Sequence, residues 1–296
     1  MNDHVRNLIQ FLAENETAKA KEVAKIILKE DTSAKNKYFC ESALKKLNAM
    51  PAMMELPYNI KNFVRAEDVS QSFIESRYFL SDREAKLFSD IERADRINGK
   101  LTEKGIRYLN ASLLYGESGT GKTTFGRYVA YKLGLPFLYL NFAECITSYL
   151  GATGQNIQRV FDYVKDEKCV FMIDEIDAIG LSRTSKANEV GEMSRVTITL
   201  MQSLDQLGNN VILLAATNRP DMLDPALRRR FTRNHEIMEL YEGEIREFSE
   251  RYFADTGIEM TGTELADFVA NAPKKQAELA NRITEKIIEK IEEETE

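Results

Sequence analysis

Four short apolar runs, at residues 111–115, 137–141, 170–173 and 211–216, dominate the middle of the chain. Each is too short for a buried helix. Each is rich enough in Val, Ile, Leu, Phe and Tyr to form a strand covered on both faces. Between and after them, residues 123–133, 154–165 and 192–207 place apolar side chains on one face at helical spacing. Strand-like runs alternating with amphipathic helices read as βαβ units, that is, a parallel sheet with helices packed on it.

The flanks have a different pattern. Residues 1–50 carry three apolar faces at helical spacing: Leu8, Ile9, Phe11 and Leu12; Val23, Ile26 and Ile27; and Tyr38, Phe39, Ala43, Leu44 and Leu47. Asn15-Glu16-Thr17 and Asp31-Thr32-Ser33 separate them as breaks and N-caps. Residues 51–80, opened by Pro51 and Pro57, read as a linker. Ser81-Asp82-Arg83-Glu84 is a capping box that opens a helix, with its stop expected at Asn98-Gly99. From Tyr241 onward helical spacing returns. A second capping box lies at Thr261-Gly262-Thr263-Glu264, and Leu279, Ile283, Ile287, Ile288 and Ile291 form a final apolar stripe. The 296 residues thus divide into an N-terminal helical region (1–50), a linker (51–80), an α/β domain (81–240) and a small helical domain (241–296).

Composition narrows the setting. The longest apolar run, 211–216, falls far short of the roughly 20 residues that cross a bilayer, and no long apolar run follows Met1. We therefore expect no membrane span and no secretory signal. Cys40, Cys145 and Cys169 are scattered and odd in number, which points to a reducing, cytoplasmic setting. His4 and His235 lie too far from each other and from any cysteine to propose zinc. A net charge of −7 speaks against a nucleic-acid partner.

Gly116-Glu117-Ser118-Gly119-Thr120-Gly121-Lys122-Thr123, followed by Thr124, fits G-x-x-x-x-G-K-[ST] and lies where a strand passes into a helix. In such a loop, backbone N–H groups and the helix N-terminus cradle phosphate oxygens. Lys122 would reach the terminal phosphates, and the Thr123 hydroxyl would hold Mg2+. The run 170–173 ends in Asp174-Glu175, at the strand end where ligands of such sheets sit. Asp174 would bind Mg2+ and Glu175 would activate water. The run 211–216 leads to Asn218, which could orient the water or bond a phosphate; read alone, Asn218-Arg219-Pro220 is a turn. Arg228-Arg229-Arg230 reads either as a solvated helix end or as arginines aimed at phosphate.

Taken together, these motifs resemble the AAA family of ring-forming ATPases over about residues 105–240. The resemblance rests on the phosphate loop, on Asp174-Glu175-Ile176-Asp177-Ala178-Ile179-Gly180, on Ala215-Ala216-Thr217-Asn218-Arg219-Pro220 and above all on Leu223-Asp224-Pro225-Ala226-Leu227-Arg228-Arg229-Arg230-Phe231. The triple arginine before Phe231 is similar to that of the microtubule-severing and ESCRT-disassembling members. The resemblance implies a P-loop NTPase domain with a C-terminal helical lid, ATP and Mg2+ as ligands, and a homo-oligomeric ring, a hexamer, acting on protein substrates. It implies Asn218 as a polar sensor and Arg229 and Arg230 as fingers reaching the neighbouring copy. Tyr149-Leu150 within Ser148-Tyr149-Leu150-Gly151 would be a pore loop that grips polypeptide, with 183–191 as a second loop. Two departures stand out. Glu117-Ser118 replaces the family's usual Pro-Pro, and Asn271-Ala272-Pro273-Lys274-Lys275-Gln276 replaces the usual lid entry, which leaves open whether Lys274 or Lys275 senses nucleotide. Two other functions compete with the remodelling motor: a nucleotide-gated chaperone or scaffold for a dedicated partner, and a nucleic-acid-associated loader.

Overall fold

The computed structural model describes residues 3–13, 17–31, 33, 35–49, 56–147, 153–181 and 187–295. Four strands lie where the apolar runs predict them: β2 (Asn110–Tyr115), β3 (Phe137–Asn141), β4 (Cys169–Asp174) and β5 (Val211–Thr217). Two more, β1 (Val64–Glu67) and β6 (Arg233–Glu236), extend the sheet at its edges in the order β1-β3-β4-β5-β2-β6. β1 runs antiparallel to β3, and the other pairings are parallel. The edge strands have the polar sequences Val-Arg-Ala-Glu and Arg-Asn-His-Glu, because an edge strand has no need of a continuous apolar run. β1 comes from the segment read as a linker.

Alternation along the strands sends side chains into two layers. Phe171, Ile173, Leu213 and Ala215 pack on one face with Ile157, Val160 and Phe161 of α8 (Thr153–Val164) and Val196, Leu200 and Leu204 of α10 (Ala187–Gln206). Val170, Met172, Ile212 and Leu214 pack on the other, against α5 (Asp82–Glu103) and α6 (Lys122–Leu133) through Leu87, Ile91, Phe125 and Val129. A third cluster belongs to the C-terminal helices α12 (Glu242–Thr256), α13 (Gly262–Ala270) and α14 (Gln276–Thr295), and it takes in Phe79 from ahead of α5. At the N-terminus α1 (Asp3–Ala13) packs on α2 (Thr17–Glu30), and α2 on α3 (Lys37–Ala49), with Ile9, Leu12, Tyr38 and Phe39 exposed. The remaining helices are one or two turns each: α4 (Val69–Ser72), α7 (Phe142–Thr147), α9 (Ala178–Leu181) and α11 (Pro225–Arg228). Among the described residues no helix is long and apolar enough to cross a membrane.

The expected stop at Asn98-Gly99 is corrected: α5 continues to Glu103. Asn98 points inward and bonds the Asn209 carbonyl, and the Thr102 hydroxyl bonds the Asn98 carbonyl at 3.0 Å, so the turn is held helical. Two residues past its end, Gly105 has a φ of 68°, which suits the left-handed turn that closes a helix. At the other end Ser81 caps α5 as its sequence predicts. Glu84 of that box is buried and reaches across to His235 of β6 at 3.2 Å. Burial works to raise the Glu84 carboxyl. Hydrogen bonds from His235 and Ser81 and the charges of His235 and Arg83 outweigh it and hold the group below its ordinary 4.5. A depressed carboxylate stabilises the fold above its unfolded value and ceases to do so as pH falls through its folded one. Glu84→Gln is therefore expected to cost about 1–3 kcal/mol at neutral pH and to remove part of the stability loss seen on acidification below pH 4.5. Urea unfolding of both proteins at pH 7 and pH 4 measures this.

Candidate active site

The phosphate loop spans the gap between β2 and α6. Its three glycines, Gly116, Gly119 and Gly121, have φ of 141°, 84° and 106°. Such angles turn the chain so tightly that the loop wraps its own lysine. The Lys122 Nζ donates to the carbonyls of Gly116 at 2.8 Å and Glu117 at 2.6 Å. Desolvation lowers the Lys122 ammonium, against the raising charges of Asp174 and Asp177. Gly116 is the most confined of the three, because a Cβ there would stand 2.3 Å from the Ile237 carbonyl oxygen.

The first turn of α6 meets the tip of β4. Thr123 Oγ1 donates to Asp174 Oδ2 at 2.6 Å, which brings together the two residues expected at a metal. A hydroxyl and a carboxylate side by side form a hard, all-oxygen donor set that suits Mg2+. The same Oδ2 accepts from the Tyr139 hydroxyl at 3.3 Å, and Oδ1 accepts from the Glu175 N–H at 2.9 Å. Burial, then the neighbouring Asp174, pushes the Tyr139 phenol up to about 12, so it remains a donor. Tyr139 went unread in the sequence because it sits inside an apolar run. Only the parallel register, which pairs it with Met172 two residues from Asp174, places it at the site.

Glu175 stands exposed just past the strand with a φ of 54°, the sole positive φ outside glycine among the described residues. Such a conformation costs on the order of 1–3 kcal/mol. The bonds of Ile176 N–H to the Ala216 carbonyl at 3.1 Å and of Ala178 N–H to the Glu175 carbonyl at 2.9 Å hold it. Buried Asp177 accepts from Thr217 Oγ1 at 2.7 Å, which in turn accepts from the Arg219 N–H at 2.9 Å. This chain of bonds stiffens the tip of β5, and Asn218 stands exposed one residue past its end.

The start of α14 rests on the phosphate loop. Ala277 N–H donates to the Gly119 carbonyl at 3.0 Å, and Lys275 Nζ pairs with the Glu117 carboxylate at 2.8 Å. Their hydrogen bond lowers the Glu117 carboxyl and raises the Lys275 ammonium. Gln276, packed against Gly121, uses both ends of its amide on Phe79: Oε1 accepts from the N–H at 3.2 Å and Nε2 donates to the carbonyl at 3.0 Å. Glu117 and Lys275, both departures from the expected pattern, are thus partners of each other. A cavity of about 440 Å3 opens on the β6 side of the loop, lined in part by Gly116, Thr120, Ile237 and Lys274. It does not reach Thr123 or Asp174.

Arg229 is exposed at the end of α11, whereas Arg230 is bound to Asp205 by two bonds at 2.8 and 2.7 Å. Tyr149 and Leu150 lie outside the described residues, as do 183–186 of the second expected loop; the rest of that loop, 187–191, belongs to α10.

Residues 112–239 match the profile of the ATPase family associated with various cellular activities, AAA. The chain carries an AAA domain. Relatives of this AAA domain include the peroxisomal ATPase PEX6 of Neurospora crassa, 35% identical over 137 residues, and that of Dictyostelium discoideum, 38% identical over 132. Another is the ATP-dependent zinc metalloprotease FtsH 1 of Thermomicrobium roseum, 35% identical over 179 residues. The matches cover 44%, 44% and 53% of this chain but only 10%, 11% and 27% of those proteins, so the likeness is one of domains. The confined turn of the AAA domain's phosphate loop makes a direct prediction. Gly116→Ala should weaken nucleotide binding by at least about tenfold, since the loop must open to admit the methyl group, while circular dichroism stays that of the folded protein. Titration with a fluorescent ATP analogue reads the loss.

Proposed function

We propose that this chain binds ATP with Mg2+ and hydrolyses it in a ring of identical copies, and that the cycle remodels, unfolds or disassembles a protein substrate. The observation that carries this reading is the convergence of the loop Lys122-Thr123, the pair Asp174-Glu175 and Asn218 at the same ends of β2, β4 and β5, with Thr123 and Asp174 in direct contact. The likeness to PEX6, a peroxisomal ATPase, and to FtsH 1, an ATP-dependent zinc metalloprotease, supports it.

Each residue has a role that follows from its chemistry. Loop amides and Lys122 hold the phosphates; drawing Lys122 off the Gly116 and Glu117 carbonyls exchanges two neutral acceptors for charged ones. Thr123 and Asp174 would hold Mg2+, which when bound neutralises phosphate charge. Tyr139 and the Glu175 N–H fix the Asp174 carboxylate in one orientation. Glu175, exposed at a strained tip, takes a proton from water. Asn218, past the end of the strand next to β4, would orient that water. The Arg229-Arg230 segment faces a neighbouring copy, so that hydrolysis requires assembly. Tyr149 and Leu150 grip an extended chain, since an aromatic contact is indifferent to sequence. A cytoplasmic setting agrees with three buried, unpaired cysteines.

Glu175→Gln is expected to bind ATP as the parent does and to hydrolyse it about 10²–10⁴-fold more slowly. A normal turnover rate would remove Glu175 as the base. The same variant, held in ATP, is the trap with which to capture a client and to count subunits by light scattering. With that client in hand, Tyr149→Ala should process less of it per ATP consumed. Unchanged coupling would favour the second reading, a nucleotide-gated scaffold that does not thread its partner.

A further inference from the structure

The Asp174 carboxylate has two oxygens and room for about four hydrogen bonds or metal contacts between them. Donors from the protein already claim most of that room. Oδ2 accepts from Thr123 Oγ1 at 2.6 Å and from the Tyr139 hydroxyl at 3.3 Å, and Oδ1 accepts from the Glu175 N–H at 2.9 Å. Oδ2 is therefore filled, and Oδ1 keeps a lone pair. Such a carboxylate meets an ion, or a water held by the ion, at a single point. It cannot close on one ion with both oxygens. Thr123 is not limited in this way, because a hydroxyl that gives its proton to Oδ2 still has lone pairs of its own.

Tyr139 reaches Asp174 from β3. In the parallel register Asn141 stands directly across from Asp174, but its Oδ1 accepts from the Glu144 N–H at 3.2 Å, in the first turn of α7. Tyr139 lies two residues back on the same face, and the length of a tyrosine spans the offset. Its ring packs into the layer between the sheet and α6, with the Phe137 ring 6.4 Å away, so the packing of the ring holds the hydroxyl in place.

The rest of the site is sparse in protein ligands. Among the described residues no three His, Cys, Asp or Glu side chains are grouped so as to hold a metal. An ion at Thr123 and Asp174 therefore takes most of its ligands from water and phosphate. Mg2+ accepts such an arrangement, since it demands a tight octahedron and gives up its waters reluctantly. Ca2+ is larger, takes roughly six to eight oxygens and gains from carboxylates that bind with both of theirs.

Resting on the reading of Thr123 and Asp174 as the metal site of an ATPase, we propose that Tyr139 is a positioning residue that sets which cation accompanies the nucleotide. By filling Oδ2 it denies Ca2+ a two-oxygen carboxylate contact and leaves the site to Mg2+.

The test compares the full chain with Tyr139→Phe, which keeps the ring and removes the donor. The dissociation constant of a fluorescent ATP analogue is measured in Mg2+, in Ca2+ and in EDTA, with melting temperature alongside. The parent is expected to bind more tightly in Mg2+ than in Ca2+. Tyr139→Phe should shrink that preference about threefold to tenfold through a gain in Ca2+, with binding in EDTA unchanged. A hydroxyl that served only to hold the fold would move all three constants together. An unchanged preference in Tyr139→Phe overturns the proposal, and so does a parent that binds equally in the two metals. Should the variant melt at a lower temperature, both proteins are compared where they are fully folded, and the same outcomes apply. The underlying reading has its own test in Asp174→Asn and Thr123→Ala. Each should bring binding in Mg2+ down toward the level in EDTA. If both keep the parent's dependence on Mg2+, the metal lies elsewhere and that reading falls. Loss of that dependence in both, beside a parental preference in Tyr139→Phe, overturns only the role of Tyr139.

Discussion

A parallel sheet covered on both faces leaves almost no room for polar chemistry within its strands. In β4 and β5 the residues from Cys169 to Ile173 and from Val211 to Ala216 are at most 1% exposed, and neighbours along each strand alternate between the two helical layers. A carboxylate in the middle of such a strand would carry the full cost of desolvation. Polar groups are tolerated where the strands leave the layers, so Asp174, Thr217 and Asn218 gather at one edge. The bond from Thr123 to Asp174 ties that edge to the first turn of α6 and thereby sets the height of the phosphate loop above the sheet.

Around this edge the backbone is held in conformations it would not take unaided. Gly116, Gly119 and Gly121 carry the positive φ of the loop, and Glu175 carries one without the excuse of lacking a side chain. The Glu175 conformation persists because β5 supplies the Ala216 carbonyl to the next amide and Asp174 bonds the Glu175 N–H itself. Strain placed at the exposed carboxylate, and paired with a rigid bond chain through Asp177 and Thr217, holds the tips of two strands in fixed relation.

The C-terminal helices are coupled to the same loop by the amide of Ala277 on Gly119 and the ion pair of Lys275 with Glu117, and to the segment ahead of α5 by the Gln276 amide on Phe79. Phe79 is itself buried in the helical cluster, so the segment ahead of α5 moves with that cluster or not at all. Any rearrangement of the loop on binding a triphosphate has a direct mechanical route to α14. The exchange of a proline pair for Glu117-Ser118 and the presence of Lys275 at the lid are two halves of one contact.

Much of this was legible along the chain, because its causes are local. Central strands need continuous apolar runs, and β3 matches its run residue for residue. Helix starts need caps: the Thr261 box forms as read, and Ser81 caps α5, with the Glu84 carboxylate turned to the Ser81 hydroxyl and His235 instead of the Ser81 N–H. The phosphate loop needs its glycines and lysine at fixed spacing. What tertiary structure alone decided has long-range causes. The polar edge strands β1 and β6 exist because a neighbour offers hydrogen bonds, and α5 passes through Gly99 because Asn98 finds a partner on the Asn209 backbone. Tyr139 reaches Asp174 through strand register, and Arg230 meets Asp205, a carboxylate 25 residues upstream. Short-range sterics and periodicity are written into neighbouring residues, whereas the partner of a charged or polar side chain is set by which distant segments the packed core brings within hydrogen-bonding distance of it.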